Sequence, residues 1–260
     1  MFNYELSTDI INKKLKSDGF AFFESIIDVK LLNNIHNELE LWNFKFNSNK
    51  LSPVINKHSF FYSNALASSK TLLKLITHKK ILEICSLQLG KKFRLKAHRV
   101  YNLQKHYKFP WHTDNKAVDI KNDSKGIVFI IYLDDVISGE NQVIRGTHLT
   151  SHIFKGNTID DNYIMKNYKN DIVSLKGKKG SLIIFNQSII HRGKPITDNK
   201  TRNAIFFQID TNINNAENLL LNPSFLDDNI LKNCKNFLFF NKPSTFPTSP
   251  DNTSLATIPP

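Results

Sequence analysis

Residues 111–115 read Trp111-His112-Thr113-Asp114-Asn115, and the fold follows from taking them as extended backbone. In a strand, successive side chains point to opposite faces, so residues two apart share one face. His112 and Asp114 then project together, an imidazole nitrogen beside a carboxylate oxygen. A His-x-Asp pair occurs by chance in many chains. Its weight comes from the surrounding sequence and from a partner far downstream, His191.

Outward from this stretch the hydrophobic period stays short. Candidate strands run Phe93–Leu103, Trp111–Asp114, Ile127–Asp134, Gln142–Ile144, Asp171–Ser174, Ser181–Asn186 and Thr201–Asp210, separated by Gly, Asn and Pro clusters. Many short strands without intervening helices predict a sandwich or barrel, here a jelly roll. Upstream the pattern is helical. Leu6, Ile10, Ile11 and Leu15 space a first helix within Glu5–Lys16, closed by Asp18-Gly19. Phe20-Ala21-Phe22-Phe23 reads as a strand, Asp28 as the cap of a second helix, and Ser69–Leu89 as one long third helix ended by Gly90. Residues 44–64 are polar and aromatic, a lid or part of a substrate wall. The expected class is mainly β with flanking N-terminal helices (α+β), a double-stranded β-helix or cupin-like barrel. The division expected is one domain over 1–215, with a helical lead-in 1–90 and a jelly-roll core 91–212. A C-terminal extension, 216–260, ends in a Pro/Ser/Thr/Asn stretch that reads as disordered.

Composition narrows the function classes. With 260 residues, 40% hydrophobic and 20 Phe, the chain is globular. Its two cysteines, Cys85 and Cys234, sit in apolar settings, which argues against a disulfide scaffold or thiolate metal site and for a reducing, cytoplasmic setting. The N-terminus lacks signal-peptide design, and the longest apolar run, Gly126 to Leu133, is too short for a membrane span. The net charge of +12 could draw an anionic substrate, nucleic acid or a membrane surface. A lysine-rich solvated surface explains it more simply, and no nucleic-acid motif is present. Arg94 and Lys96 share a strand face and could form a local basic wall.

The chemistry lies in three ordered stretches. After Trp111-His112-Thr113-Asp114 comes Ile130-Ile131-Tyr132-Leu133-Asp134-Asp135-Val136, continuing through Gly139-Glu140-Asn141 to Arg145-Gly146-Thr147-His148. The third is Lys179-Gly180-Ser181-Leu182-Ile183-Ile184-Phe185, leading to Ile190-His191-Arg192-Gly193 and Thr201-Arg202. A divalent ion held by two His and one carboxylate keeps an open face, as in non-haem Fe(II) oxygenases. Together the three stretches resemble the phytanoyl-CoA dioxygenase-like family of Fe(II)/2-oxoglutarate oxygenases, over roughly residues 5 to 210.

That resemblance implies that His112, Asp114 and His191 are the catalytic iron ligands. It also implies that Arg202, eleven residues after His191, grips the distal carboxylate of 2-oxoglutarate, a task suited to a planar guanidinium. Fe(II) is the implied cofactor, with 2-oxoglutarate and O2 as co-substrates and a small molecule as substrate. Tyr101 and Tyr132 are candidates for binding the co-substrate, although core packing explains them equally well. His148 reads as structural. His98, His106 and His152 have no spacing argument and read as surface or supporting residues. Because Asp114 keeps its carboxylate, halogenation is disfavoured. Hydroxylation is the default, and desaturation, cyclisation and epimerisation start from the same hydrogen abstraction. Two departures stand out: Arg145 where the family loop has Pro, and Gln142 where a small residue is usual. Repair of alkylated bases resembles a pattern with a second arginine where this chain has Gln208. A jelly-roll binding protein or cupin-type isomerase is the rival outside the class, separated by its failure to form succinate.

Overall fold

The computed structural model describes residues 1–48, 55–56, 59–62, 65–103, 105, 109–115, 124–150, 158–197, 201–212, 221–234 and 237–238. The strands are β1 (Phe20–Phe23), β2 (Ile55–Asn56), β3 (Ser59–Tyr62), β4 (Arg94–Leu103), β5 (Gly126–Tyr132), β6 (Val136–Ile144), β7 (Ile172–Gly177), β8 (Leu182–Asn186), β9 (His191–Gly193) and β10 (Arg202–Asp210). They form a seven-stranded sheet, β1-β8-β5-β10-β4-β3-β2, and a three-stranded sheet, β7-β6-β9. Every paired strand runs antiparallel. This is the jelly-roll arrangement, in which the inner faces of two sheets enclose the site.

The centre of the large sheet is buried on both faces, which is why β5 reads as an unbroken apolar run. Alternation still sorts its side chains. Ile127, Phe129 and Ile131 join Ile205, Phe207 and Ile209 of β10 in the core beneath the helices, with the rings of Phe129 and Phe207 stacked at 4.7 Å. Val128, Ile130 and Tyr132 face the barrel interior with Ala204 and Phe206.

The helices α1 (Thr8–Ser17), α2 (Val29–Ser48), α3 (Ala65–Ser68), α4 (Lys70–Ile76) and α5 (Lys79–Leu89) supply the other half of the first core. Ile11 and Leu15 come from α1, Leu32, Ile35 and Leu39 from α2, and Ile81 and Ile84 from α5. The expected single helix over Ser69–Leu89 is broken. Thr77 ends α4, and His78, in extended conformation, caps α5 by accepting Lys80 N–H on its ring nitrogen at 3.2 Å. The chain over 44–64, left unassigned from sequence, carries the end of α2 and the strands β2 and β3, the latter paired with β4.

One helix contradicts the expectation of strands without intervening helices, α6 (Asp161–Tyr168) between β6 and β7, and a further one, α7 (Asp228–Cys234), lies in the C-terminal extension. The core also continues beyond residue 212, because Leu221, Ile230, Cys234, Phe237 and Leu238 join it. The apolar residues Phe239 and Phe240 and the polar tail lie outside the described residues. No helix among the described residues is long and apolar enough to cross a membrane.

At the junction of helices and barrel, Gly19 adopts a φ of +84°, and a Cβ there would lie 2.5 Å from the ring of His148. Its carbonyl accepts Asn186 N–H at 2.9 Å, while Gly146 N–H donates to Asp18 O at 3.0 Å. His148 Nε2 lies 3.2 Å from Lys16 O. The Gly146-Thr147-His148 loop therefore seats α1 on the barrel, the structural role read from sequence.

Candidate active site

The stretch expected as strand 111–114 forms two single bridges, Trp111 to Ile159 and His112 to His191. The alternation survives: Trp111, Thr113 and Asn115 are buried, and His112 and Asp114 line a cavity. Backbone bonds fix the ligand-bearing segments. His112 N–H donates to His191 O at 3.0 Å, His191 N–H returns to His112 O at 2.9 Å, and Asp114 N–H donates to Gln187 O at 2.9 Å.

The side chains converge. His112 Nε2 lies 3.7 Å from Asp114 Oδ1, and His191 Nε2 lies 3.7 Å from Asp114 Oδ2. All three ligand atoms fall within 4.8 Å of one another, and no other such three-ligand group occurs among the described residues. Each imidazole turns its second nitrogen to a backbone carbonyl, His112 Nδ1 to Pro110 O at 2.7 Å and His191 Nδ1 to Ile189 O at 3.1 Å. A carbonyl can only accept, so Nδ1 carries the proton and Nε2 presents its lone pair to the site.

The electrostatics agree. Burial, helped by the neighbouring His112, lowers the His191 pKa to about 4 against the opposing pull of Asp114 and the Ile189 carbonyl, so the ring is neutral near pH 7. Asp114 Oδ2 is buried and accepts no hydrogen bond among the described residues. A buried carboxylate oxygen without a donor is costly, and a cation among these three side chains removes that cost. Two imidazole nitrogens and a carboxylate with one side open to a cavity suit Fe(II). The triad can hold that ion.

The cavity, of about 100 Å³, is also lined by Tyr101, Phe109, Ile130, Asn141, Gly193, Arg202, Ala204 and Phe206. Arg202 stands at the first position of β10, buried, with Nη1 donating to Gly139 O. Gly193 makes room for it: a Cβ there would meet Arg202 Nη2 and Phe109 Cδ2, each at 3.1 Å. The Tyr101 ring packs edge-on against Phe109 and Phe206, with centroids at 5.9 and 6.0 Å.

Tyr132 is placed differently from the other candidates. It is fully buried in the interior core, its hydroxyl donates to Leu175 O at 2.7 Å, and it accepts from Asn141 N at 3.2 Å and Asn141 Nδ2 at 3.1 Å. Burial raises its pKa. Its reach into the cavity therefore runs through Asn141.

Sequence reasoning missed Phe109, Ile130, Asn141, Gly193, Ala204 and Phe206 as lining residues. Strand phase could have found Ala204 and Phe206, two and four residues after Arg202, and Ile130, two before Tyr132. The basic wall expected from Arg94 and Lys96 is buried instead. Lys96 pairs with Asp210 at 2.9 Å with both side chains almost inaccessible, and burial lowers the Arg94 pKa. Gln208 bonds Gln187 at 2.9 Å in the same interior network. His98, expected at the surface or behind a ligand, is 2% exposed in β4. His106 and His152 lie outside the described residues.

The family model for phytanoyl-CoA dioxygenase (PhyH) matches residues 15–204. No curated protein matches significantly. Among solved structures, EctD from S. alaskensis with 2-oxoglutarate and 5-hydroxyectoine is 16% identical, covering 83% of this chain and 82% of its own at a TM-score of 0.63. HygX from Streptomyces hygroscopicus with nickel, 2-oxoglutarate and hygromycin B is 13% identical, covering 84% and 92% at 0.63. SnoN, a non-heme alpha ketoglutarate dependent epimerase from nogalamycin biosynthesis, is 14% identical, covering 78% and 81% at 0.58. At these identities the likeness is one of fold.

Proposed function

Since the chain belongs to the phytanoyl-CoA dioxygenase family, and is thereby an Fe(II)/2-oxoglutarate-dependent oxygenase, we propose that it hydroxylates an unactivated C–H of a small molecule, with His112, Asp114 and His191 holding the iron. The observation that carries this reading is the buried Asp114 Oδ2, which accepts no hydrogen bond among the described residues and is set 3.7 Å from His191 Nε2 in the same cavity as a buried arginine.

His112, Asp114 and His191 would hold the iron, which would supply the chemistry of C–H oxidation by O2 with 2-oxoglutarate as co-substrate and succinate and CO2 as co-products. The protein's own residues do the rest. His112 and His191 turn Nε2 toward the site and Asp114 its carboxylate oxygens. Arg202 offers the distal carboxylate a flat, permanently charged donor pair. Tyr101 closes the slot beside Arg202. Tyr132 acts indirectly, holding Asn141 at the cavity edge. Phe109, Ile130 and Phe206 give the slot apolar walls that exclude water and strengthen the charge interactions inside.

EctD and HygX hold small molecules beside 2-oxoglutarate, which supports a small-molecule substrate here. The positive surplus supports an anionic one. On that reading the apparent affinity falls as salt rises, and a salt-independent Michaelis constant refutes it. The two buried, free cysteines support a reducing, cytoplasmic setting. The test is a succinate-release screen with Fe(II) and 2-oxoglutarate against metabolite pools, followed by mass spectrometry. Hydroxylation adds one oxygen, desaturation or ring closure removes two hydrogens, and epimerisation leaves the mass unchanged. Succinate release that no metabolite pool stimulates, or a stimulating pool whose product gains no oxygen, overturns the hydroxylase reading.

A further inference from the structure

We propose that Asp161 is a positioning residue for the metal centre, locking Trp111 against Arg192 on the outer face of the barrel and thereby holding together the two histidine-bearing segments. This rests on the reading of His112, Asp114 and His191 as metal ligands.

The geometry starts from alternation. Trp111 precedes His112 and Arg192 follows His191, so both point away from the cavity where the histidines point in. Behind the histidines they meet: the Arg192 guanidinium carbon lies 4.3 Å from the centroid of the Trp111 ring. One oxygen of Asp161 then takes both, accepting Trp111 Nε1–H at 2.9 Å and Arg192 Nη1–H at 2.5 Å. Arg192 Nε donates to Gln142 Oε1 at 2.8 Å, and Gln142 Nε2 donates to Ser174 Oγ at 2.7 Å. The clamp thus runs from α6 through β9 and β6 to β7. It also gives a use to Gln142, the residue that departs from the family's small one.

Asp161 is itself well placed. Ile159 N–H donates to Trp111 O at 2.8 Å, and Asp160 caps α6 through Asn162 N and Tyr163 N. Between the ligand-bearing segments the backbone offers the two-way His112–His191 bridge, flanked by Phe109 N–H to Gly193 O at 3.0 Å and Asp114 N–H to Gln187 O at 2.9 Å. These bonds lie along the backbone, and the side-chain clamp adds a second tie between the segments on the outer face. The Asp161 side chain is 63% exposed and that of Arg192 19%, so the ion pair adds little to global stability. Its effect falls on ligand geometry. Arginine suits the post because it stacks flat on an indole while donating in its own plane, which an ammonium does not.

The test measures Ni(II) affinity of metal-free protein by chelator competition, with the melting temperature of the same samples. Asp161→Ala is expected to weaken Ni(II) binding by about ten- to a hundredfold, the range for residues that orient metal ligands, with the metal-free melting temperature nearly unchanged. Asp161→Asn, which keeps an acceptor for Trp111 but loses the charge, and Arg192→Lys should fall in between. Because the two residues act as a unit, Asp161→Ala combined with Arg192→Ala should cost no more than Arg192→Ala alone. In a Trp42→Phe background, where Trp111 is the remaining tryptophan of two, Asp161→Ala should shift its emission in metal-free protein. Unchanged Ni(II) affinity in Asp161→Ala, or additive losses in the double variant, overturns the proposal. The failure of the ligand reading looks different: His112→Ala would then leave Ni(II) binding intact.

Discussion

His112 and His191 hydrogen-bond to each other through their backbones in both directions, at 3.0 and 2.9 Å, and their rings lie 4.3 Å apart. This pairing brings two distant parts of the chain together, and with Asp114, two residues on, they form a three-donor group that can hold a metal ion.

Removing a ligand should separate metal binding from folding. His112→Ala, Asp114→Ala and His191→Ala are expected to stay folded and to lose iron. Asp114→Ala should melt no lower than metal-free wild type, because it deletes a buried carboxylate oxygen that has no donor among the described residues. Added Fe(II) or Ni(II) raises the melting temperature of wild type by mass action and should not raise that of the variants. A metal-dependent rise in any one of them takes that residue out of the ligand set.

Tyr132→Phe distinguishes a tether from a co-substrate ligand. Deleting the hydroxyl leaves Leu175 O and Asn141 Nδ2 without their partner, at a cost of about 1–3 kcal/mol in stability. Denaturant unfolding should register that loss, with a smaller effect on 2-oxoglutarate affinity through Asn141. Normal stability combined with a large loss of affinity would make Tyr132 a direct ligand.

Acid should destabilise the protein through His98. Burial lowers its pKa to about 3, whereas the unfolded chain has the ordinary value of about 6.5. Above pH 6.5 both states are neutral and the stability is fully present. As pH falls from 6.5 toward 3 only the unfolded state takes the proton, so stability drops by about 1.4 kcal/mol per pH unit. In His98→Leu the slope of unfolding free energy against pH should be shallower by that amount. An unchanged slope places the His98 pKa near its ordinary value.

Gly19→Ala should destabilise the junction of α1 with the barrel. A left-handed backbone costs a residue with a Cβ about 1–2 kcal/mol, and the contact with His148 adds to it. Removing that ring in Gly19→Ala/His148→Ala should recover the contact part only. Full stability in Gly19→Ala would show that the turn can change conformation.

Much of the site could be read from sequence because metal chemistry demands few donor types and period-two alternation places them. His112 and Asp114 met both conditions, whereas His191 and Arg202 were reached through the family resemblance; all four line one cavity together with Tyr101. Tyr132 has the right strand phase, but its hydroxyl is taken by Leu175 and Asn141, which only tertiary contact reveals. Helix α6 escaped notice because of its eight residues Ile164 alone is buried, so no apolar stripe marks it. The break between α4 and α5 was hidden because a histidine ring nitrogen, not Ser, Thr or Asp, caps the second helix. Phe109 enters the cavity from a stretch without periodicity, and no local signal identifies it.

On the proposed function 2-oxoglutarate lies between the triad and Arg202, and its equilibrium affinity for Ni(II)-loaded wild type and Arg202→Ala reads this placement out. Hydrogen bonds to charged groups contribute about 1.5–3 kcal/mol, and about 1.4 kcal/mol is tenfold. Arg202→Ala should therefore bind 2-oxoglutarate on the order of ten- to a hundredfold more weakly while holding Ni(II) as before, with Arg202→Lys recovering part of the loss. Undiminished 2-oxoglutarate affinity in metal-loaded Arg202→Ala would show that Arg202 does not hold the co-substrate.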